Sequence, residues 1–189
     1  MRVLGTVPYQ GVRTEIVLDS KQWRSFRYRQ KRFHVSAALA EDQEKLLQAY
    51  REFCKRKMRP IIERHLRRLI NKKITYEITY TDGSTKRERL SAREYALKIG
   101  IDDIVYEIGE FESEWGINQV DLKKKDFVLH FNVSLMTYGN AERIGFVVAH
   151  EVAHIFERGH DRAFEAVLSK LYSGKRKHEN FWDRGVSRV

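Results

Sequence analysis

The sequence predicts an α+β fold, and three observations lead there. From about Arg13 to Ser36 the side chains alternate as strands do, and from Glu41 to about Lys73 the apolar residues recur at helical spacing. Beyond Asp103 two β-like runs come before a helical pattern instead of alternating with it, which argues against a doubly wound sheet.

Taken in order, TEIVLD, WRSFRYR and RFHVS read as an N-terminal β-ribbon over residues 13–36, joined by short polar turns. Leu46, Leu47, Tyr50, Phe53 and Cys54 then line one side of a helix. Pro60 either kinks that helix or opens a second one at its first position, where the missing N–H costs nothing. Ile61, Ile62, Leu66, Leu69 and Ile70 continue the stripe opposite Arg64, Arg67 and Arg68, so residues 41–73 are expected to form long basic helices. ITYEITYT, Asp82-Gly83 and TKRERL predict a hairpin, and Ser91 with Glu94 predicts a capping box opening a helix that ends at Lys98. IVYEIGEF and DFVLHFNVSL supply a small mixed or antiparallel sheet, joined through WGINQVDLKKK. Asn140 is placed to cap a helix carrying Ile144, Val147, Val148, Val152 and Ile155, which Gly159 would end in the left-handed conformation. A last helix begins near Asp161 and carries Phe164, Val167, Leu168 and Leu171.

Composition sets the outer bounds. A chain of 189 residues with no Pro/Gly/Ser linker is expected to form one domain over residues 1–189, with the metal-site core at 104–172. The single Cys54 excludes an intramolecular disulfide framework and any CxxC metal site, so a metal would have to be held by His and carboxylate. On its apolar stripe Cys54 reads as a buried structural residue. One cysteine, no signal-peptide core and no membrane-spanning apolar run lead to the expectation of a cytoplasmic protein with no membrane partner.

The net charge of +10 is local. Lys21 to Lys73 holds 17 Lys and Arg against 5 Asp and Glu, with Trp23, Phe26, Tyr28 and Phe33 among the cations. Cations for phosphates beside stacking surfaces for bases are what nucleic-acid binders use, so this region is a candidate contact for nucleic acid or nucleotide. The same alternation suits an exposed strand pair with aromatics inward and cations in water, and the sequence favours that solvated reading. Between Asp102 and Glu114 the sign reverses, with six acids and no Lys or Arg.

The chemistry concentrates in His150-Glu151-Val152-Ala153-His154. HExxH on a helix sets two imidazoles one turn apart on one face, with the glutamate one position round. A catalytic zinc takes three protein ligands and leaves a position for water, and His160, beyond the Gly159 stop, is the natural third ligand. Glu165 or Glu179 is the runner-up. Glu151 is then the general base that takes the water's proton. Glu157, Asp161 and Glu165 are candidates to orient the imidazoles, and Tyr138 and Arg143 to donate to an oxyanion. His34, His65, His130 and His178 lack paired spacing and read as ordinary histidines. Glu157 argues against a metzincin, since it stands where that group has its helix-breaking glycine.

The run FNVSLMTYGNAERIGFVVAHEVAHIFERGHDRAFEAVL resembles the YgjP-like metallopeptidase family, itself related to SprT-like and WLM zinc proteases. Asn132 and Leu135 correspond to its strand, His150, Glu151, His154 and His160 to its site, and Phe164 to its aromatic. Trp115-Gly116 fits its Trp-Gly turn, and RSFRYRQKRFHVS resembles its opening strands. The chain departs from the family in having Glu114 before that turn, Ile117-Asn118 after it, and residues 74–98 as an elaboration between the long helices and the Trp-Gly strand. The resemblance implies a compact zincin-like domain, Zn²⁺ as cofactor and a peptide or protein substrate. A metal-dependent phosphohydrolase acting on nucleotides, a nucleic-acid-associated SprT-like protease and a non-enzymatic polyanion-binding module with a structural zinc are the alternatives.

Overall fold

The computed structural model describes residues 2–20 and 26–173. Lys21, Trp23 and Arg24 of the basic region, His178 and the runner-up ligand Glu179 lie outside them. In chain order the first elements are β1 (Arg2–Tyr9), β2 (Val12–Leu18), β3 (Phe26–Arg29), β4 (Arg32–Val35), α1 (Ala37–Ala40) and α2 (Gln43–Ile70). There follow β5 (Ile74–Thr79), β6 (Thr85–Leu90), α3 (Ala92–Lys98), β7 (Asp103–Gly109), β8 (Gly116–Asp121) and β9 (Asp126–Asn132). The last are α4 (Ser134–Tyr138), α5 (Ala141–Ala153) and α6 (Arg162–Leu171). This is the α+β class that the sequence predicts. The described chain packs as two compact units, one from residues 1–60 and 133–140, the other from residues 61–132 and 141–189. No helix among the described residues is long and apolar enough to cross a membrane.

In the first unit four strands form a sheet in the order β1-β2-β4-β3, with β2 and β4 parallel. The sheet starts at Arg2 and not at Arg13, because β1 is exposed over most of its length and leaves no alternation to read. Its two hairpins turn through Gln10 (φ 52°) with Gly11 (φ 78°) and through Gln30 (φ 50°) with Lys31 (φ 59°). Two successive residues at positive φ match the strand twist of a tight hairpin, and the second pair achieves this without the usual Asn or Gly. The first turn docks on α4, where the Gln10 and Gly11 N–H groups donate to Met136 O and Thr137 O, both at 2.9 Å.

Phe33 is the centre of this unit's core, fully buried with the rings of Phe26, Tyr9, Phe53 and Tyr50 5.1 to 5.5 Å away. Such pairs add about 0.5–1.5 kcal/mol each beyond the area they bury. Tyr28, between Arg27 and Arg29, follows the expected inward pattern with its ring 5.0 Å from those of Phe33 and Tyr9, yet stays 38% exposed. One continuous helix, α2, runs through Pro60, so no second helix starts there. The cost of the lost hydrogen bond is offset by Met58 and Ile62, which flank the proline and are both fully buried. The helix starts after Asp42, whose carboxylate accepts the Lys45 N–H at 3.0 Å.

In the second unit β5 and β6 pair as the predicted hairpin, with Gly83 at φ 81° in the turn, and Ser91 and Glu94 form both bonds of the capping box. The three-stranded sheet has the order β7-β9-β8, with β9 parallel to β7 and antiparallel to β8. Two readings need correction here. The connection WGINQVDLKKK contains strand β8, hidden because Ile117 and Val120 fall on opposite strand faces and show no period of two. DFVLHFNVSL leaves the sheet at Asn132, so Leu135 belongs to α4 and not to a strand. Helix α5 is buried along almost its whole length, and Gly145 lets it pass under His65, since a Cβ there would lie 2.5 Å from the His65 ring.

Burial raises the Cys54 thiol to about 12, so almost none of it is thiolate at pH 8. Iodoacetamide at that pH is expected to leave Cys54 unmodified in the folded protein and to label it fully in guanidinium, read by mass spectrometry. Labelling of the folded protein at the rate of a free thiol would contradict this packing.

Candidate metal centre

The HExxH segment lies at the C-terminal end of α5. The helix closes at Ala153, and the His154 N–H still donates to His150 O at 3.2 Å, which keeps the two imidazoles one turn apart. The next turn tightens, with Ile155 and Phe156 N–H groups donating to carbonyls three residues back. This corrects the expected stop at Gly159, which lies outside the left-handed region and is not where the helix ends.

Three imidazoles converge. His150 Nε2 lies 3.0 Å from His160 Nε2 and 3.1 Å from His154 Nε2, and the three ligand atoms all lie within 4.8 Å of one another. That spacing is close to what three nitrogens about 2 Å from a common ion require. The aromatic ring of Phe164 underlies all three, with ring centroids 4.8 Å from His150, 4.5 Å from His154 and 4.9 Å from His160. Phe164 is placed there by the first turn of α6, whose N-cap is Asp161 accepting from the Ala163 and Phe164 N–H groups. Asp161 thus caps a helix, and the acidic side chain expected to orient an imidazole is replaced by a backbone group. The Glu157 carbonyl lies 3.0 Å from His154 Nδ1; since a carbonyl only accepts, Nδ1 carries the proton and Nε2 presents its lone pair.

Burial, and then the charges of His154 and His160, push His150 down to about 3. Burial lowers His154 as well. Both imidazoles are therefore neutral, the form that binds metal. Glu151, only 2% exposed, is pushed up by burial to about 8. A cation beside it would act in the opposite sense and favour the carboxylate. This donor set fits a divalent metal: three imidazole nitrogens, no thiolate, and one carboxyl alongside.

The space for Glu151 is made by another element. A Cβ on Gly116, the first residue of β8, would lie 2.5 Å from Glu151 Oε1 and 2.9 Å from its Cγ. Two residues on, Asn118 Nδ2 donates to the Glu151 carbonyl at 2.9 Å. The loop before β8 is braced by buried Asn132, whose Nδ2 donates to Phe111 O and Glu114 O, both at 2.9 Å. The sequence marks Trp115-Gly116 and Asn132 only through a resemblance and Asn118 only as a departure from it; glycine next to a tryptophan is the one local signal.

Beside the imidazoles opens a cleft of about 1090 Å³, walled by Gly116, Ile117, Asn118, Gln119 and Val120 of β8 and by Glu151. Its charged lining comprises Glu114, Glu151, Glu165 and Arg158 besides the histidines. Glu165 shares the cleft without joining the three-histidine cluster, and the lining includes neither Tyr138 nor Arg143. The basic region Lys21 to Lys73 is divided between the two units after Pro60, with Arg56 and Lys57 lying over the Phe53 ring at 5.7 and 5.6 Å.

An alanine at position 116 is expected to displace the Glu151 carboxyl while leaving the imidazole cluster intact. Crystallography of Gly116→Ala checks this; an unmoved Glu151 would contradict the packing argument.

No curated protein and no solved structure matches the chain. The family model described as YgjP-like, metallopeptidase domain, matches residues 2–182. A match over nearly the whole chain, on a fold that gathers the HExxH histidines with a third, supports a hydrolase of metallopeptidase type that uses a metal. The chain belongs to the YgjP-like metallopeptidase family.

Proposed function

We propose that the protein is a zinc-dependent peptidase, with His150, His154 and His160 as metal ligands and Glu151 as general base. The observation that carries the peptide reading is the edge of β8. Among the described residues β8 pairs only with β9. The Asn132 N–H donates to Trp115 O, and in an antiparallel ladder of this phase the main-chain groups of Gly116, Asn118 and Val120 point to the opposite, unpaired edge. An extended chain can add to such an edge through main-chain hydrogen bonds, running along the strand that walls the cleft beside Glu151.

The lining points the same way. Three glutamates against one arginine make a poor reception for a phosphoester, which would favour a cationic pocket. Three ligands with a carboxyl alongside also suit an open site better than a structural one, which is closed by four protein ligands.

When bound, zinc supplies Lewis acidity, which polarises a carbonyl and acidifies a water molecule. The chain's own residues do the rest. Backbone groups of β8 hold the substrate extended, and the Glu157 carbonyl keeps the His154 proton on Nδ1. Gly116 leaves the Glu151 carboxylate room beside the imidazoles, where it takes the water's proton and passes it to the leaving amine nitrogen.

Metal analysis is expected to find one zinc per chain, lost in His154→Ala and in His160→Ala; stoichiometric zinc in either variant would contradict the ligand set. Glu151→Gln is expected to keep its zinc and lose hydrolysis of unstructured casein by about 10²–10⁴-fold, the usual worth of a general base. Activity within threefold of the parent would remove Glu151 from that role.

A further inference from the structure

The hairpin β5–β6 reaches the metal centre. The Tyr76 hydroxyl lies 3.0 Å from Phe156 O and 2.9 Å from Glu157 Oε1, so its one proton is shared between the two acceptors. The main-chain carbonyl of that same Glu157 holds His154 Nδ1 at 3.0 Å. Tyr76 is therefore two hydrogen bonds from a metal-site imidazole, although more than seventy residues separate them in sequence.

The ring is as firmly placed as the hydroxyl. Tyr76 packs against Tyr95 at 5.4 Å and Phe156 at 5.2 Å, and Tyr95 packs against Phe156 at 5.0 Å. This three-ring cluster joins the hairpin, α3 and the turn after α5. The turn needs such support, because α5 has ended at Ala153 and α6 does not begin until Arg162. Burial raises the phenol's pKa, so it remains a donor throughout the working pH range.

We propose that Tyr76 is a positioning residue of the metal centre, whose hydroxyl fixes the Phe156-Glu157 turn and, through the Glu157 carbonyl, the ring and tautomer of His154. The proposal rests on the reading of His154 as a metal ligand. It also makes the hairpin, which the sequence suggests is an elaboration, part of the site's support. Groups that orient metal ligands in this way are worth about 10–100-fold in metal affinity.

The test is zinc affinity by chelator competition on the full chain, together with the visible absorption of the cobalt-substituted protein. Tyr76→Phe keeps the ring cluster and removes only the hydroxyl. Tyr80→Phe is the control, since its hydroxyl bonds Glu88 within the same hairpin, 3.2 Å away, and touches nothing in the turn. Tyr76→Phe is expected to weaken zinc binding about tenfold or more and to shift the cobalt bands, while Tyr80→Phe changes neither. Unchanged affinity and spectrum in Tyr76→Phe would overturn the proposal, and so would equal weakening by both variants. If zinc binding is lost in His154→Ala but untouched in Tyr76→Phe, only the role of Tyr76 fails. If it survives His154→Ala, the ligand reading fails with it.

Discussion

Three imidazoles gathered at and beyond the C-terminal end of a largely buried helix, with their ligand atoms within 4.8 Å of one another, are the constraint around which this part of the chain is built. Each ring must turn its lone pair inward, and His150 and His154 are held there neutral against the cost of burial. The tight turn after Ala153 brings the chain back towards the helix, and the Glu157 carbonyl fixes the tautomer of His154. Asp161 starts α6 at the point that slides Phe164 beneath all three rings. The metal helix is thus inseparable from the two elements that follow it.

The same economy governs Glu151. A carboxyl this deeply buried needs both space and a reason to ionise. Gly116 provides the space by having no side chain, and the charge of a bound cation provides the reason. Because Gly116 also opens β8, the strand that admits the carboxyl is the strand whose edge, unpaired among the described residues, walls the cleft. The proposed general base and the proposed peptide-binding edge are therefore set by one residue position, and Asn132 holds the loop that delivers it.

Much of this was legible from the residues. The HExxH pair and His160 declared themselves because metal geometry demands particular spacings, and the hairpin at Gly83 and the box at Ser91 did so through turn and capping chemistry. What stayed hidden gave no signal, or a misleading one, in the local pattern of residues. Strand β8 shows no alternation because an edge strand beside a cleft has no single buried face. The left-handed pair Gln30-Lys31 lacks the residues that usually announce such a turn. Gly159 looked like a helix stop, yet the helix ends through its own tightened hydrogen bonds. Tyr76 could not be connected with His154 before the hairpin was seen against the turn.

The central claim is an open zinc site made by three histidines beside a general base. Anomalous diffraction at the zinc edge from crystals of the zinc-loaded protein tests it most directly. The account predicts one peak about 2.0–2.1 Å from the Nε2 atoms of His150, His154 and His160, with solvent as the remaining ligand and the Glu151 carboxylate facing that solvent. A fourth protein ligand on the ion, or a peak away from these three nitrogens, would contradict it.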